Sequence, residues 1–399
     1  MNKKSISNAN LNGKKVIVRC DFNVPISYDG FIVDDRRITE ALPTIKFLVQ
    51  QGARVILCSH FGRPHGKVQC KLSLEPVAIR LNQYFENSVK FVKDVIGTSA
   101  CKVSKNLENG EICLLENLRF EIGEEKNEDS FAKSLASLAE VYVNDAFGAC
   151  HREHASIVGV PKFLPSYFGF LVQKEIKEMS EVIKNPKRPF VSILGGSKVS
   201  DKIGVIKNLI DKVDTFIIGG GMAYTFMNAL GYSVGDSICE KDRLELARDI
   251  MEKTKEKGVR FLLPVDNKVG KEYSPETEFK VVGADKIPNG WQGLDIGPRT
   301  CEIFSNEIKN AGTIVWNGPM GVSEWDNFSQ GTFSVARAVA ESESASIVGG
   351  GDSAVAIKKI ECESKITHIS TGGGASLMFL EGIELPGIKA ISDRPFAKF

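Results

Sequence analysis

Six cationic side chains recur at or just beyond the ends of apolar runs in the first half of the chain: Arg19, Arg37, His60, Arg63, Arg119 and Arg152. The chain's formal net charge is only +1, so such a recurrence is local rather than a general basic excess. A guanidinium presents a planar fork that matches carboxylate and phosphate. A converging set would therefore hold a small, highly charged anion. Any one of them alone could be an ordinary solvated surface arginine. Their recurrence favours convergence, because the loops that follow parallel strands gather on one rim of a sheet. Asp21 and Asn23, in VIVRCDFN (16 to 23), would then read hydroxyl groups beside the charges. Asp and Asn before Pro also make turns, and that reading stays open for Asp21.

The second half offers backbone instead of charge. The runs SILGGSK (192 to 198), FIIGGG (216 to 221), SIVGGGD (346 to 352) and HISTGGG (368 to 374) all run into glycines. Glycines let main-chain N–H groups approach phosphate, and a helix that follows presents its positive end. One such loop is ordinary α/β punctuation. Four of them suggest a nucleotide. Lys198 and Lys202 stand four apart and so share a helix face. Asp352, directly after three glycines, could approach a phosphate-bound Mg²⁺ or simply cap a helix.

Several chemistries can be set aside. No GxxxxGK[ST] run occurs, nor the HRD and DFG signatures of protein kinases. The spacing GxGxxA occurs at Gly349, Gly351 and Ala354, which keeps a nicotinamide dehydrogenase as the alternative. That reading wants an acid at the end of the next strand, where ITHIST instead ends in Ser370 and Thr371. A nucleotide-binding regulator without chemistry is a further alternative. There is no Ser/His/Asp arrangement, no GxSxG elbow, no metal-ligand Cys/His spacing and no lone carboxylate placed as a tuned acid. His65 and His368 receive no role. A reaction that needs neither nucleophile nor base fits this inventory. Phosphoryl transfer to or from a carboxylate is one, because the carboxylate is already an anion at neutral pH.

Positioning two such sets requires parallel sheets whose strands end on one rim. The apolar runs alternate with amphipathic stretches such as 129 to 140 and 241 to 258, a pattern of βα units. Strands are expected near 15 to 20, 54 to 59, 89 to 92, 112 to 116, 140 to 144 and 155 to 160. A second set is expected near 190 to 194, 213 to 218, 259 to 264, 313 to 317, 345 to 349 and 366 to 370. The 399 residues exceed what one compact core usually organises, so the fold class is α/β with two doubly wound, Rossmann-like parallel-sheet domains. The boundaries expected are 1–170 with about 380–399, a joining helix and linker at 171–189, and 190–379. Val172, Ile176, Met179 and Ile183 form the apolar face of the joining helix, which a Pro-rich stretch stops. The nine cysteines form no CxxC pair and several lie inside apolar runs, which reads as reduced thiols and a cytoplasmic location. No targeting segment or membrane span is read from the sequence, and the charge balance favours neither nucleic acid nor membrane as a partner.

The motifs VRCDFNVP (18 to 25), SHFGRP (59 to 64), LLENLRF (114 to 120), HREHAS (151 to 156), GGSKVSDK (195 to 202), IVWNGPMGVSEW (314 to 325), GGGDS (349 to 353) and TGGGAS (371 to 376) occur in this order. Together they closely resemble phosphoglycerate kinase across nearly the whole chain. The resemblance implies reversible phosphoryl transfer between 1,3-bisphosphoglycerate plus ADP and 3-phosphoglycerate plus ATP, with Mg²⁺ carried as Mg-ATP or Mg-ADP. It also implies a monomer. Carried over by motif, Asp21, Phe22, Asn23, Arg37, His60, Phe61, Gly62, Arg63, Arg119 and Arg152 would surround the phosphoglycerate. Arg37 rather than Arg36 is the match, because the family has Arg followed by Ile, and it would also lie nearest the moving phosphoryl group. Lys198 would bridge that group, with Gly196 beside it and Lys202 on the nucleotide phosphates. Gly219, Gly220, Gly293, Asn317 and Pro319 would line the nucleoside pocket, with Glu324 on the ribose. Gly350, Gly351, Asp352 and Ser353 would meet the phosphates, Asp352 serving Mg²⁺. Gly350 and Gly373, at helix starts, would stabilise transition-state charge.

Two departures are small: Phe61 stands where Leu is commoner, and Ser353 where Thr is frequent. The resemblance also implies that the segment after about 380 returns to the first domain. ELPGIKAISDRPFAKF (384 to 399) is the least family-like stretch. With the ligands on separate domains, transfer is expected to be in line and to follow hinge closure.

Overall fold

The computed structural model describes residues 4–86 and 88–392. Its first sheet is built from the apolar runs of the first half: β1 (Lys15–Cys20), β2 (Arg54–Cys58), β3 (Val89–Val92), β4 (Ile112–Leu115), β5 (Val141–Asp145) and β6 (Ser166–Phe168). All pair in parallel, in the order β3-β4-β2-β1-β5-β6. Near-continuous apolar runs are what a parallel sheet covered on both faces demands. Val16, Val18, Leu57, Leu114 and Val143 face one core, with Ile45, Leu48, Val77 and Leu81 from the helices Leu42–Gln50 and Glu75–Tyr84. The order reverses at β1, whose neighbours are β2 on one side and β5 on the other.

One expected strand is overturned. Residues Ala155–Gly159 form a single π-helical turn, and the sixth strand is instead the short SYF run, β6. The backbone of the turn is satisfied without a ladder. Ser156 N–H donates to Glu124 Oε2 at 2.9 Å, and Ser156 C=O accepts from the Tyr142 hydroxyl at 2.7 Å.

The second sheet repeats the plan with β7 (Phe190–Leu194), β8 (Thr215–Ile218), β10 (Arg260–Leu262), β15 (Thr313–Asn317), β16 (Ala345–Gly349) and β17 (His368–Ile369). These pair in parallel in the order β10-β8-β7-β15-β16-β17. Two antiparallel pairings join β12 (Phe279–Gly283), β11 (Asp266–Gly270) and β14 (Gln292–Ile296) into a small separate sheet. β9 (Ser233–Val234) pairs with β13 (Lys286–Ile287). Ligands of open α/β sheets sit beyond the strand carboxyl ends where the order reverses. Here that place lies between β7 and β15.

The chain divides into two compact units, one of residues up to Ile176 and from Glu384 onward, the other Lys177–Ile383. The helix Phe170–Lys184 runs across the boundary. Val172, Ile176 and Met179 are buried on it as the spacing predicts, but Val182 rather than Ile183 continues the buried face. The helix Pro386–Ser392 belongs to the first unit. Leu385, Ile388 and Ile391 are buried there, and Gly387 N–H donates to Cys150 C=O at 2.9 Å. The remainder of the tail, 393–399, lies outside the described residues. Among the described residues no helix is long and apolar enough to cross a membrane.

Candidate active site

At the carboxyl end of β1 the chain places Arg19, Asp21, Phe22 and Asn23 in succession. Phe22 is wholly buried and its N–H donates to Ser59 Oγ at 2.9 Å, so this loop is bound to the end of β2. Asn23 Oδ1 accepts from Gly62 N–H at 2.9 Å, and Gly62 C=O accepts from Arg119 Nη1 at 2.6 Å. The three strand ends are thus joined by directed hydrogen bonds. Gly62 needs to be glycine twice over: its φ is +59°, and a Cβ would stand 2.6 Å from Leu72 Cδ2. Phe61 is buried beside it, and its N–H donates to Asn117 Oδ1 at 3.0 Å.

Arg37, from the short helix Arg36–Thr39, donates through Nη1 to Asp21 Oδ2 at 3.0 Å and to Asn23 C=O at 3.2 Å. Asp21 therefore orients an arginine. His60 Nδ1 lies 3.9 Å from Asp21 Oδ1. Burial, then Arg19, Arg119, Arg152 and Arg37, hold the His60 imidazole well below its usual range, so it is neutral at neutral pH. Burial and neighbouring arginines likewise push His154 down to about 3. Arg119 is 2 % exposed, and burial lowers it to about 10. Its Nε lies 3.2 Å from Glu125 Oε1, yet neither Nε nor Nη2 makes a hydrogen bond. Arg152 belongs to the same electrostatic cluster, and Arg63 is exposed in the loop after β2. Arg19 departs from the anion-facing reading. It is fully buried, and Nε, Nη1 and Nη2 are bound to Ser156 Oγ, Cys20 C=O and His60 Nδ1.

The second unit holds a cavity of about 880 Å³. It opens where β7 and β15 end, and the two strand ends are stitched together. Gly195 N–H donates to Asn317 C=O at 3.0 Å and Gly196 N–H to Pro319 C=O at 3.1 Å. Gly196, Lys198, Lys202, Gly220, Gly293, Asn317, Pro319, Glu324, Gly350 and Asp352 all line it. Lys198 is exposed, whereas Lys202 is half-buried and donates through Nζ to Asn317 Oδ1. Burial lowers Lys202, against the opposing pull of Asp201, Glu381 and Asp352. Burial and Glu324 raise the Asp352 carboxyl, while Lys202 lowers it.

Gly219, Gly351, Ser353 and Gly373 are not part of that lining. Ser353 is buried and its Oγ accepts from Gly318 N–H at 2.9 Å, so it shapes the loop after β15. Gly219 touches the buried Met320: a Cβ would lie 2.4 Å from its sulfur. Gly350, at φ +91°, precedes the helix Gly351–Lys359, and Gly373, at φ +51°, precedes the helix Gly374–Leu380. Around Gly351 and Gly373 a Cβ would meet nothing within 4 Å, which leaves open room at both helix starts.

The sequence profile described as "Phosphoglycerate kinase" matches residues 6–383. The chain belongs to the phosphoglycerate kinase family. As a member of it the chain is an enzyme, a kinase. It is 53 % identical to the phosphoglycerate kinase of Clostridium novyi (strain NT), over 99 % of this chain and all of that one. It is 52 % identical to that of Clostridium tetani (strain Massachusetts / E88), over 98 % of each. The solved phosphoglycerate kinase structure from Coxiella burnetii superposes with a TM-score of 0.86 at 42 % identity, over 98 % of both chains. That from Pyrococcus horikoshii OT3 gives 0.85 at 33 %, over 97 % of this chain and 98 % of that one. The Gly349, Gly351, Ala354 spacing thus spans the end of β16 and the first turn of the helix after it in a kinase, and the dehydrogenase reading falls.

Sequence reasoning missed part of the wall of the phosphoglycerate kinase cavity. Tyr224, Ile238, Tyr273, Leu294 and Val322 also line it. Tyr224 and Leu294 are buried apolar neighbours of Gly293, whose Cβ would lie 2.0 Å from Tyr224 Oη. Tyr224 comes from the helix Met222–Ala229 and Leu294 from β14, while Ile238, Tyr273 and Val322 lie outside the strands, so no glycine run or strand end marked them. In the first unit the buried pair Glu124 and Ser156 also went unnoticed, because neither stands at a strand end.

Proposed function

We propose that this enzyme catalyses the reversible transfer of a phosphoryl group between 1,3-bisphosphoglycerate plus ADP and 3-phosphoglycerate plus ATP. The observation that carries the reading is the pairing of two complementary sites, an arginine cluster on one unit and a lysine-and-glycine cavity on the other. The buried Nη2 of Arg119, which has no hydrogen-bond partner, supports an anion at the first site, because buried donors left without acceptors are costly. Burial and the surrounding arginines disfavour protonation of His60, so it is a poor base for a phosphate proton. Arg37, oriented by Asp21, and Lys198, exposed on the cavity, would stabilise charge on the transferring group from opposite sides. The accepting carboxylate is already ionised, so no residue has to remove a proton.

Among the described residues no group of three His, Cys, Asp or Glu could hold a metal by itself. Asp352 on the cavity wall fits Mg²⁺ nevertheless, since that ion commonly binds through one or two carboxylates plus substrate phosphates. When bound, it would neutralise charge on the nucleotide phosphates. Asp352 would hold it, and Lys202, fixed by Asn317, would face the same phosphates. Transfer would be in line and follow closure of one unit on the other, which expels water and brings the reacting atoms within attack distance. The reading includes a monomer acting in the cytoplasm. Its test is ADP formation from ATP and Mg²⁺ with and without 3-phosphoglycerate, with the acyl phosphate removed reductively as it forms. Turnover that requires 3-phosphoglycerate supports it; ATP binding without such turnover overturns it.

A further inference from the structure

Behind the arginine cluster runs a buried chain of directed hydrogen bonds that begins at a carboxylate and ends on a histidine ring. Glu124, wholly buried, accepts from Ser156 twice: from its N–H at 2.9 Å and from its hydroxyl at 2.6 Å. With its hydroxyl proton given to Glu124, Ser156 Oγ has lone pairs left, and one accepts from Arg19 Nε at 2.8 Å. Arg19 is thereby fixed at one edge, and its Nη1 is bound to Cys20 C=O. The remaining amino group, Nη2, lies 3.1 Å from His60 Nδ1. A guanidinium has no acceptor and does not lose its proton in proteins, so Nδ1 must supply the lone pair. The ring proton is then left on Nε2.

We propose that Glu124, Ser156 and Arg19 are positioning residues that fix His60 as the neutral Nε2–H tautomer, so that the ring meets the phosphoglycerate as a hydrogen-bond donor. This rests on the phosphoglycerate reading of the first site. The logic is that of a catalytic imidazole whose second nitrogen decides its tautomer, with the usual carboxylate partner replaced by a buried arginine. Asp21 could play the usual part only by accepting an Nδ1–H, and at 3.9 Å it is beyond hydrogen-bond reach. Asp21 instead holds Arg37. The two buried carboxylates therefore divide the work: Asp21 orients the arginine nearest the transfer, and Glu124, through two intermediaries, orients the histidine. A second consequence is protective. Arg19, Arg37, Arg119 and Arg152 all bear on His60, and Asp21 is the acid nearest to Nδ1, so a ring held neutral adds no further charge to the cluster.

The test reads the ring directly in the whole, ligand-free enzyme. Protein labelled with ¹⁵N-histidine gives the ring nitrogen shifts, with His60 assigned by the signal lost in His60→Gln. The expected spectrum at neutral pH has an unprotonated Nδ1 and a protonated Nε2. An Nδ1–H tautomer or an imidazolium overturns the proposal, whether or not the enzyme turns over. Arg19→Met and Ser156→Ala should let the tautomer become mixed and raise KM for 3-phosphoglycerate by roughly tenfold, the usual effect of one lost charge-assisted hydrogen bond. KM for ATP should stay near its wild-type value. Arg19→Lys, which can still donate to Nδ1, should recover much of the loss. Should Arg19→Met fail to fold, the wild-type spectrum and Ser156→Ala, which leaves Arg19 in place, decide the question. Unchanged ring shifts and an unchanged KM in a folded Ser156→Ala or Arg19→Met variant would overturn it. Absence of 3-phosphoglycerate-dependent turnover in the wild type removes the substrate named here and overturns the donor role, which distinguishes that failure from a wrong tautomer.

Discussion

Lys198 and Lys202 occupy the same loop yet are placed for different work: one is exposed on the cavity, the other is half-buried and tied to Asn317. Only the first is free to follow a moving group. Lys198→Ala should depress kcat by about two orders of magnitude, as loss of one transition-state charge contact typically does. Arg37→Ala should do likewise. Steady-state kinetics check both, and near-normal turnover would remove the residue from the mechanism. Away from the chemistry, burial pushes Asp145 up to about 7 from an ordinary value of 3.8, against hydrogen bonds from Thr44 and from the N–H groups of Val172 and Leu171. Between those two values the folded protein keeps a proton that the unfolded chain has lost. The stabilisation is therefore complete below about pH 4 and is lost as pH rises through about 7. Asp145→Asn keeps an acceptor for the same N–H groups and has no proton to lose. Its Tm relative to wild type should rise between about pH 4 and about pH 8. A constant difference across that range would show that Asp145 does not titrate in it.

Elements explain which glycines are spatial necessities and which leave room for a ligand. At Gly293 an added methyl would stand 2.0 Å from Tyr224 Oη, so Gly293→Ala should cost about 1–3 kcal/mol, as overpacking does, and lower Tm. At Gly351 the same methyl meets nothing and the residue opens a nine-residue helix. Alanine there should hold or raise Tm, since it favours helix by up to about 1 kcal/mol over glycine. If phosphates use that room, the same change should weaken Mg-ADP binding, read by titration calorimetry, by roughly tenfold, the equivalent of about one hydrogen bond. Unaltered affinity would place the phosphates elsewhere. The parallel strands and the loops after them were legible because burial on both faces forces uninterrupted apolar runs, and because anion chemistry restricts which residues can follow them. The ASIVGV run at 155 to 160 misled for a physical reason: a short apolar stretch is equally a buried helical turn, and Glu124 and Tyr142 satisfy its backbone from outside. β6 was hidden by its length of three residues. β11, β12 and β14 were hidden by their mixed, partly exposed faces, so the wall that β14 brings to the cavity at Gly293 and Leu294 was invisible with them. Arg19 was placed correctly at a strand end but not inward, because sequence shows position along a strand and not which buried partners await it.

For the molecule as a whole, the proposed mechanism makes one global demand: neither ligand alone should suffice to bring the reacting groups together. Small-angle scattering should show the radius of gyration falling most when 3-phosphoglycerate and a Mg-nucleotide are both present. An equal value with and without the pair would argue against closure as the step that permits transfer. The helix Pro386–Ser392, set against the first unit by the Gly387 to Cys150 hydrogen bond, carries a consequence for biosynthesis. Residues up to Ile176 leave the ribosome first, but they wait for Leu385, Ile388 and Ile391 while all of Lys177–Ile383 is translated. The second unit, by contrast, is one continuous stretch, Lys177–Ile383. The first unit to be made is thus the last to be finished, and through that interval the nascent chain presents uncovered apolar surface around Cys150 and Ile157 to whatever chaperone stands at the tunnel mouth.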